Sequence, residues 1–122
     1  MKIYFGFFIL FTAITFAQDI DIHQAKKMID SGKVVLIDVR TPGEFSAGHI
    51  KSAKMIDFYA DSFKQEIEKL DKTKDYLFYC RSGNRSGQTR NLVQSMGFKG
   101  KIYNMAGGIR SWRSSSYPEK TN

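Results

Sequence analysis

Two kinds of apolar pattern alternate along this chain. Val34-Val35-Leu36-Ile37 is an unbroken, largely β-branched run, and Tyr76-Leu77-Phe78-Tyr79 is an aromatic one. Such runs suit strands covered on both faces, as in a parallel sheet. Between and around them the apolar residues fall at helical spacing. Residues 23–31 carry Ala25, Met28 and Ile29 on one side and end at Ser31-Gly32. Thr41 before Pro42 is a helix start with proline in the first turn, and that short helix stops near Gly48. Asp61 or Ser62 caps a helix to about Leu70, with Phe63, Ile67 and Leu70 on one face. Residues 86–96 read as a further helix, with Leu92, Val93 and Met96 toward the core and Gly97 as its terminator. Short strands are expected at 19–22, 53–56 and 101–104. Gly107-Gly108 makes a turn before a short helix holding Trp112. The alternation predicts an α/β domain with a mainly parallel sheet flanked by helices.

The two ends do not belong to this pattern. Lys2 is followed by an uncharged stretch from Ile3 to Ala17, with Thr15 and Ala17 as small residues before a cut at Gln18. This is the pattern of a secretory signal peptide, short for a membrane span, which needs about 20 apolar residues. Residues 1–17 are therefore expected to be removed, residues 18–113 to form one domain, and 114–122 to be a polar, frayed tail. The destination is the periplasm or the outside, and contact with a membrane is expected only through the signal segment. About a hundred remaining residues bury roughly two thirds of their unfolded surface, enough for one core without staples.

Hydrophobic residues make up 42% of the chain, which excludes a disordered class. The net charge of +7 is scattered, with no aromatic-interleaved basic stripe, so attraction of small anions fits better than nucleic-acid binding. The single cysteine, Cys80, cannot form an internal disulfide. In an exported chain it is a free reactive thiol or has an intermolecular partner.

Cys80 ends the aromatic run and is followed by Arg81-Ser82-Gly83-Asn84-Arg85-Ser86, just before a helix. Ligands of open α/β sheets bind beyond the carboxyl ends of the strands. A tight loop opening a helix points several N–H groups inward and binds an anion, and Gly83 permits the turn. A thiol on the floor of that nest, near Arg81 and Arg85, has a lowered pKa and is nucleophilic at neutral pH. Cationic, partly exposed surroundings set this cysteine apart from a small inert hydrophobe in a core.

At this loop the sequence resembles the rhodanese family. The match rests on Cys80-Arg81-Ser82-Gly83-Asn84-Arg85-Ser86, on the stretch from Leu36 through Asp38, Arg40 and Glu44 to Phe45 with Gly48-His49-Ile50, and on Gly107-Gly108-Ile109 with Trp112. It spans essentially residues 19–112. The sequence departs from the family where Lys51-Ser52-Ala53 replaces a glycine or proline followed by alanine, on a connection away from the cysteine. The resemblance implies a rhodanese-like three-layer α/β fold. It implies transfer of a sulfane sulfur from a donor such as thiosulfate to Cys80 as nucleophile and carrier, then to cyanide or a thiol. Backbone N–H groups from Arg81 to Ser86 would cradle the outer sulfur, with charge from Arg81 and Arg85. No metal or organic cofactor is implied. A protein thiol is a further candidate partner.

Asp38 and Arg40 flank a strand end near this site. Asp38 is either a hydrogen-bond acceptor at the pocket rim or, with Arg40, part of a network tying the Pro42 helix to the loops. Glu44 is expected to accept bonds from a loop or helix end. His23 is expected to be solvated and His49 to bond backbone, since no second His or Cys stands at metal spacing. Two rival functions remain. One is a stoichiometric persulfide carrier or protein-interaction module. The other is a cysteine-dependent phosphatase or arsenate reductase, whose Cys…Arg loop is one residue longer than the four residues between Cys80 and Arg85.

Overall fold

The computed structural model describes Gly6 and residues 17–121; the expected signal segment otherwise lies outside the described residues. Five strands, β1 (Ala17–Ile20), β2 (Val35–Asp38), β3 (Lys54–Met55), β4 (Tyr76–Tyr79) and β5 (Ile102–Met105), form one parallel sheet in the order β1-β5-β4-β2-β3. The helices are α1 (Ile22–Asp30), α2 (Pro42–Ala47), α3 (Phe63–Glu68), α4 (Asn84–Gln94) and α5 (Gly108–Ser114). The first strand lies two residues earlier than the pattern predicts. Asp21, just after it, caps α1 by accepting from the Gln24 N–H at 2.8 Å, so the chain turns into helix there. A cut before Gln18 falls one residue into β1, whose Ala17 pairs with Ile102.

Alternation along the strands sorts the core into two layers. Leu77 and Tyr79 of β4 join Leu36, Tyr103 and Met105 on one face, under Ala25 of α1 and Ile109 and Trp112 of α5. Tyr76, Phe78 and Cys80 point the other way, with Ile37 and Ile102, against Phe63 and Ile67 of α3 and Val93 of α4. β4 is the middle strand and wholly buried, which is why its sequence shows no polar alternation. Parity along β4 thus carries the Cys80 side chain to the face where α4 begins.

Thr41 caps α2 as expected and does so reciprocally: its hydroxyl accepts from the Glu44 N–H at 3.3 Å, and Glu44 Oε1 accepts from the Thr41 N–H at 3.3 Å. Ser62 caps α3 without a side-chain bond. The tail is not frayed. Pro118 O accepts from Trp112 Nε1 at 2.9 Å, Tyr117 packs edge-on to the Trp112 ring, and Lys120 exchanges two backbone bonds with His49 at 2.7 and 2.9 Å. The polar composition of 114–121 hid these anchors, since most of them are main-chain groups. No helix among the described residues is long and apolar enough to cross a membrane.

Candidate active site

The loop after β4 folds back around its own cysteine. Gly83 sits at φ +103°, a left-handed conformation that glycine takes without strain, and from there α4 starts. α4 begins at Asn84, two residues before the predicted start at Ser86, with this glycine as its N-cap. The turn brings three donors onto Cys80 Sγ: the Gly83 N–H at 3.1 Å, the Ser86 hydroxyl at 3.3 Å and the Ser86 N–H at 3.5 Å. Ser86 is fully buried on α4, so its hydroxyl is held on the sulfur and not lost to water.

Cys80 itself is 1% exposed, which corrects the expectation of a partly exposed thiol. Burial alone pushes the thiol up, and it is the largest single influence on it. The Ser86 hydroxyl and the N–H groups of Ser86, Gly83 and Ser82 together outweigh burial and bring the thiol below its ordinary value. The cysteine is thus almost wholly buried yet lined by donors on the side of the loop. Those donors are the largest of the influences that lower the thiol. Arg85 donates to both oxygens of Glu44, at 2.7 and 2.9 Å, and its charge meets Glu44 before it meets Cys80. Arg81 is exposed on the outer side of the loop, with Ser82, and Asn84 accepts from Gln88 at 3.2 Å. Of the residues expected to converge on the sulfur, the loop gathers Ser82, Gly83 and Ser86 and turns the side chains of Arg81, Asn84 and Arg85 elsewhere.

Glu44 is held down to about 2 by Arg85 first, with the Thr41 N–H and hydroxyl adding to it against the opposing effect of burial. The α2 cap and the cysteine loop therefore share one carboxylate. Asp38 and Arg40 form the buried network of the structural reading: Arg40 Nε bonds both Asp38 oxygens at 3.0 Å, Nη2 bonds Asp38 Oδ2 at 2.7 Å, and Nη2 also reaches Gly48 O at 2.7 Å. Asp38 is fully buried and accepts from the Arg40 N–H, so it is no acceptor at a pocket rim. His49 bonds the Phe45 carbonyl at 2.9 Å and stacks on the Phe45 ring. His23 is exposed but pairs with the Tyr117 hydroxyl at 2.6 Å. Among the described residues no three His, Cys, Asp or Glu side chains gather as metal ligands would.

Two supports were not read from the sequence as parts of the site. Gly108, at φ +58°, packs so closely on the loop that a Cβ would stand 2.4 Å from Arg81 O and 2.6 Å from Cys80 O. The next two N–H groups, of Ile109 and Arg110, donate to those same carbonyls at 2.9 and 3.1 Å. The loop's N–H groups are free to face the sulfur because its carbonyls are engaged behind it. Asn104 of β5 bonds Asp19 Oδ1 at 3.0 Å and reaches the Gly83 carbonyl at 3.4 Å. The Gly107-Gly108 pair was the available signal for the first; a lone Asn near a strand end offered none for the second.

A parallel α/β sheet with a donor-lined thiol at the carboxyl end of its middle strand defines a class of cysteine-centred loop enzymes and carriers. Within it, the sequence profile of the rhodanese-like domain matches residues 21–115, and the chain belongs to that family. A sulfurtransferase from Allochromatium vinosum is 31% identical over 94 residues, covering 77% of this chain and 85% of its own. The thiosulfate sulfurtransferase GlpE of Tolumonas auensis is 32% identical, covering 77% and 86%. The crystal structure of a rhodanese-related protein from Thermoplasma volcanium superposes with a TM-score of 0.76 at 26% identity, over 86% of this chain and 99% of that one. These relatives set the chain among sulfurtransferases and its fold among rhodanese-like domains.

Proposed function

We propose that the chain carries sulfane sulfur as a persulfide on Cys80, taking it from a thiosulfate-like donor and passing it to a thiophilic acceptor, cyanide or a thiol. The observation that carries this reading is the set of N–H and hydroxyl donors from Gly83 and Ser86 on a single buried sulfur. They hold the thiolate before transfer, and the loop's inner surface holds the persulfide anion after it. In loading, the Cys80 thiolate attacks the outer sulfur of thiosulfate. A new S–S bond forms, the old one breaks, and its electron pair leaves on sulfite. In discharge, a thiol or cyanide attacks the outer sulfur of the persulfide, and the electron pair of the S–S bond returns to Cys80 Sγ. Neither step needs an external oxidant or reductant. Arg81, Ser82 and Asn84 are exposed around the loop mouth, the side from which a donor approaches. GlpE of Tolumonas auensis and thiosulfate sulfurtransferase 18 of Arabidopsis thaliana, 32% identical over 114 residues, are named for that donor.

The test is thiocyanate formation from thiosulfate and cyanide. Many turnovers per protein, lost in Cys80→Ser, are expected. A single loading followed by a stall would make the chain a stoichiometric carrier. The same reading takes the chain as exported on the strength of residues 1–17. Protein taken from cells is then expected to begin at Gln18, and an intact Met1 would contradict export by cleavage.

A further inference from the structure

We infer that the cavity beside the Cys80 loop binds the carboxylate of a small anionic thiol, so that the preferred acceptor carries a negative charge a few bonds from its sulfur. The acceptor role rests on the persulfide reading above, but the binding can be measured without any transfer. The cavity measures about 220 Å³ and is lined by Arg40, Glu44, Ala47, Arg81 and Arg113. That is below the roughly 300 Å³ at which drug-sized sites begin, so it admits a small molecule or one end of a larger one.

The charges around it pair off in a way that leaves one cation over. Arg40 is bound to Asp38, Arg85 to Glu44 and Arg113 to Glu119, each at 2.7–2.8 Å. Arg81 is exposed and has no ion-pair or side-chain hydrogen-bond partner among the described residues. Each carboxylate beside the cavity is therefore already engaged, and the excess charge is positive. An entering carboxylate meets a net attractive field, and on Arg81 it finds donors that no carboxylate among the described residues already holds. Glu119 engages Nε and Nη2 of Arg113, whose side chain is 45% exposed, so this second guanidinium also offers an open edge. Arg40, buried and fixed to Asp38 and Gly48 O, forms a rigid back wall.

The cavity is coupled to the sulfur through the chain itself. Arg81 follows Cys80, and its carbonyl is fixed by the Arg110 N–H at 3.1 Å. Glu44, on the opposite wall, grips Arg85 at the far end of the same loop. In the inferred arrangement the thiol's carboxylate sits on Arg81 and Arg113 and its short hydrocarbon on Ala47, with its sulfur directed toward the loop that follows Cys80. A neutral thiol of the same length has no such anchor.

The test compares discharge of the loaded full chain to 3-mercaptopropionate and to 2-mercaptoethanol. In a two-step exchange, kcat/KM for the acceptor reports only the second half-reaction. The ratio of the two values is expected to fall about tenfold in Arg81→Gln and in Arg113→Gln, the loss of one charge-assisted contact. A folding or loading defect lowers both values together and leaves the ratio unchanged. A second measurement uses 3-(methylthio)propionate, whose blocked sulfur accepts nothing, and follows the arginine Nε–H resonances. Shifts confined to Arg81 and Arg113 are expected, and they would stand even if sulfur transfer itself failed to occur. An unchanged ratio in both variants overturns the inference, as do shifts appearing only at the Gly83 and Ser86 amides.

Discussion

Ser86 does two things to Cys80 from one position: its N–H and its hydroxyl both point at Sγ, at 3.5 and 3.3 Å. The thiol lies below its ordinary value because such donors outweigh burial. Removing the hydroxyl in Ser86→Ala lets burial regain ground and moves the thiol up. The rate of alkylation by iodoacetamide at neutral pH should then fall about fivefold, the equivalent of one hydrogen bond of ~1 kcal/mol. Its pH profile should move to higher pH than that of the wild type; an unmoved profile would mean the hydroxyl does not hold the thiolate. Glu44 is the other residue whose charge state matters. Its carboxyl is lowered from 4.5 to about 2, so the stability it adds is fully present above pH 4.5 and is lost as pH falls toward 2. Glu44→Gln should therefore lower the urea midpoint clearly at pH 6 and by progressively less as the pH drops through that window. An equal deficit at every pH would assign the loss to packing instead of to the Arg85 pair.

At the scale of elements, the cup is built by β4 and the turn that follows it, and by a third segment that meets them only in the fold. β4 supplies the cysteine and its direction, the turn at Gly83 supplies the N–H groups, and the start of α5 engages the loop carbonyls from behind. Gly108→Ala tests this division. Its Cβ would collide with Arg81 O at 2.4 Å in a backbone conformation, φ +58°, that alanine rarely adopts. A loss of about 2 kcal/mol or more in stability is expected by urea unfolding, because positive-φ strain and overpacking add. Thiol alkylation should also slow in the fraction that remains folded, since the loop must move off the helix. Unchanged stability and reactivity would show that the contact is not tight. The sequence made some of these elements plain and left others dark. The runs at 34–37 and 76–79 marked strands buried on both faces, and Thr41-Pro42 marked its helix, because those signals are local. The start of α4 was misplaced because Gly83 reads as a turn inside the tight loop, while its left-handed conformation also makes it the cap. The exposed thiol was misjudged because Arg81 and Asn84 are polar but face outward, leaving the sulfur inside.

Across the whole molecule, what could not be read was whatever depends on distant partners. Strand order β1-β5-β4-β2-β3 puts Asn104 under Gly83 and joins Asp19 to Asn104, and also to Arg90, contacts with no local signature. The tail is the clearest case. Its polar letters suggest fraying, yet Tyr117, Pro118, Glu119 and Lys120 bind Trp112, Arg113 and His49 and close the chain over the α1–α5 face. Ending the chain at Ser116 removes all of these. The melting temperature should fall by about 10 °C, as expected for the loss of ~2 kcal/mol in a domain of this size. A frayed tail would leave it unchanged.

The central claim is that one sulfur, ringed by the donors of Gly83 and Ser86, accepts and holds a second. Intact-mass spectrometry of the full chain after thiosulfate treatment measures that directly. The account predicts one added sulfur on the wild-type chain, removed by cyanide, and none on Cys80→Ala. An addition that persists in Cys80→Ala, or a wild-type chain that never gains the atom, would contradict it.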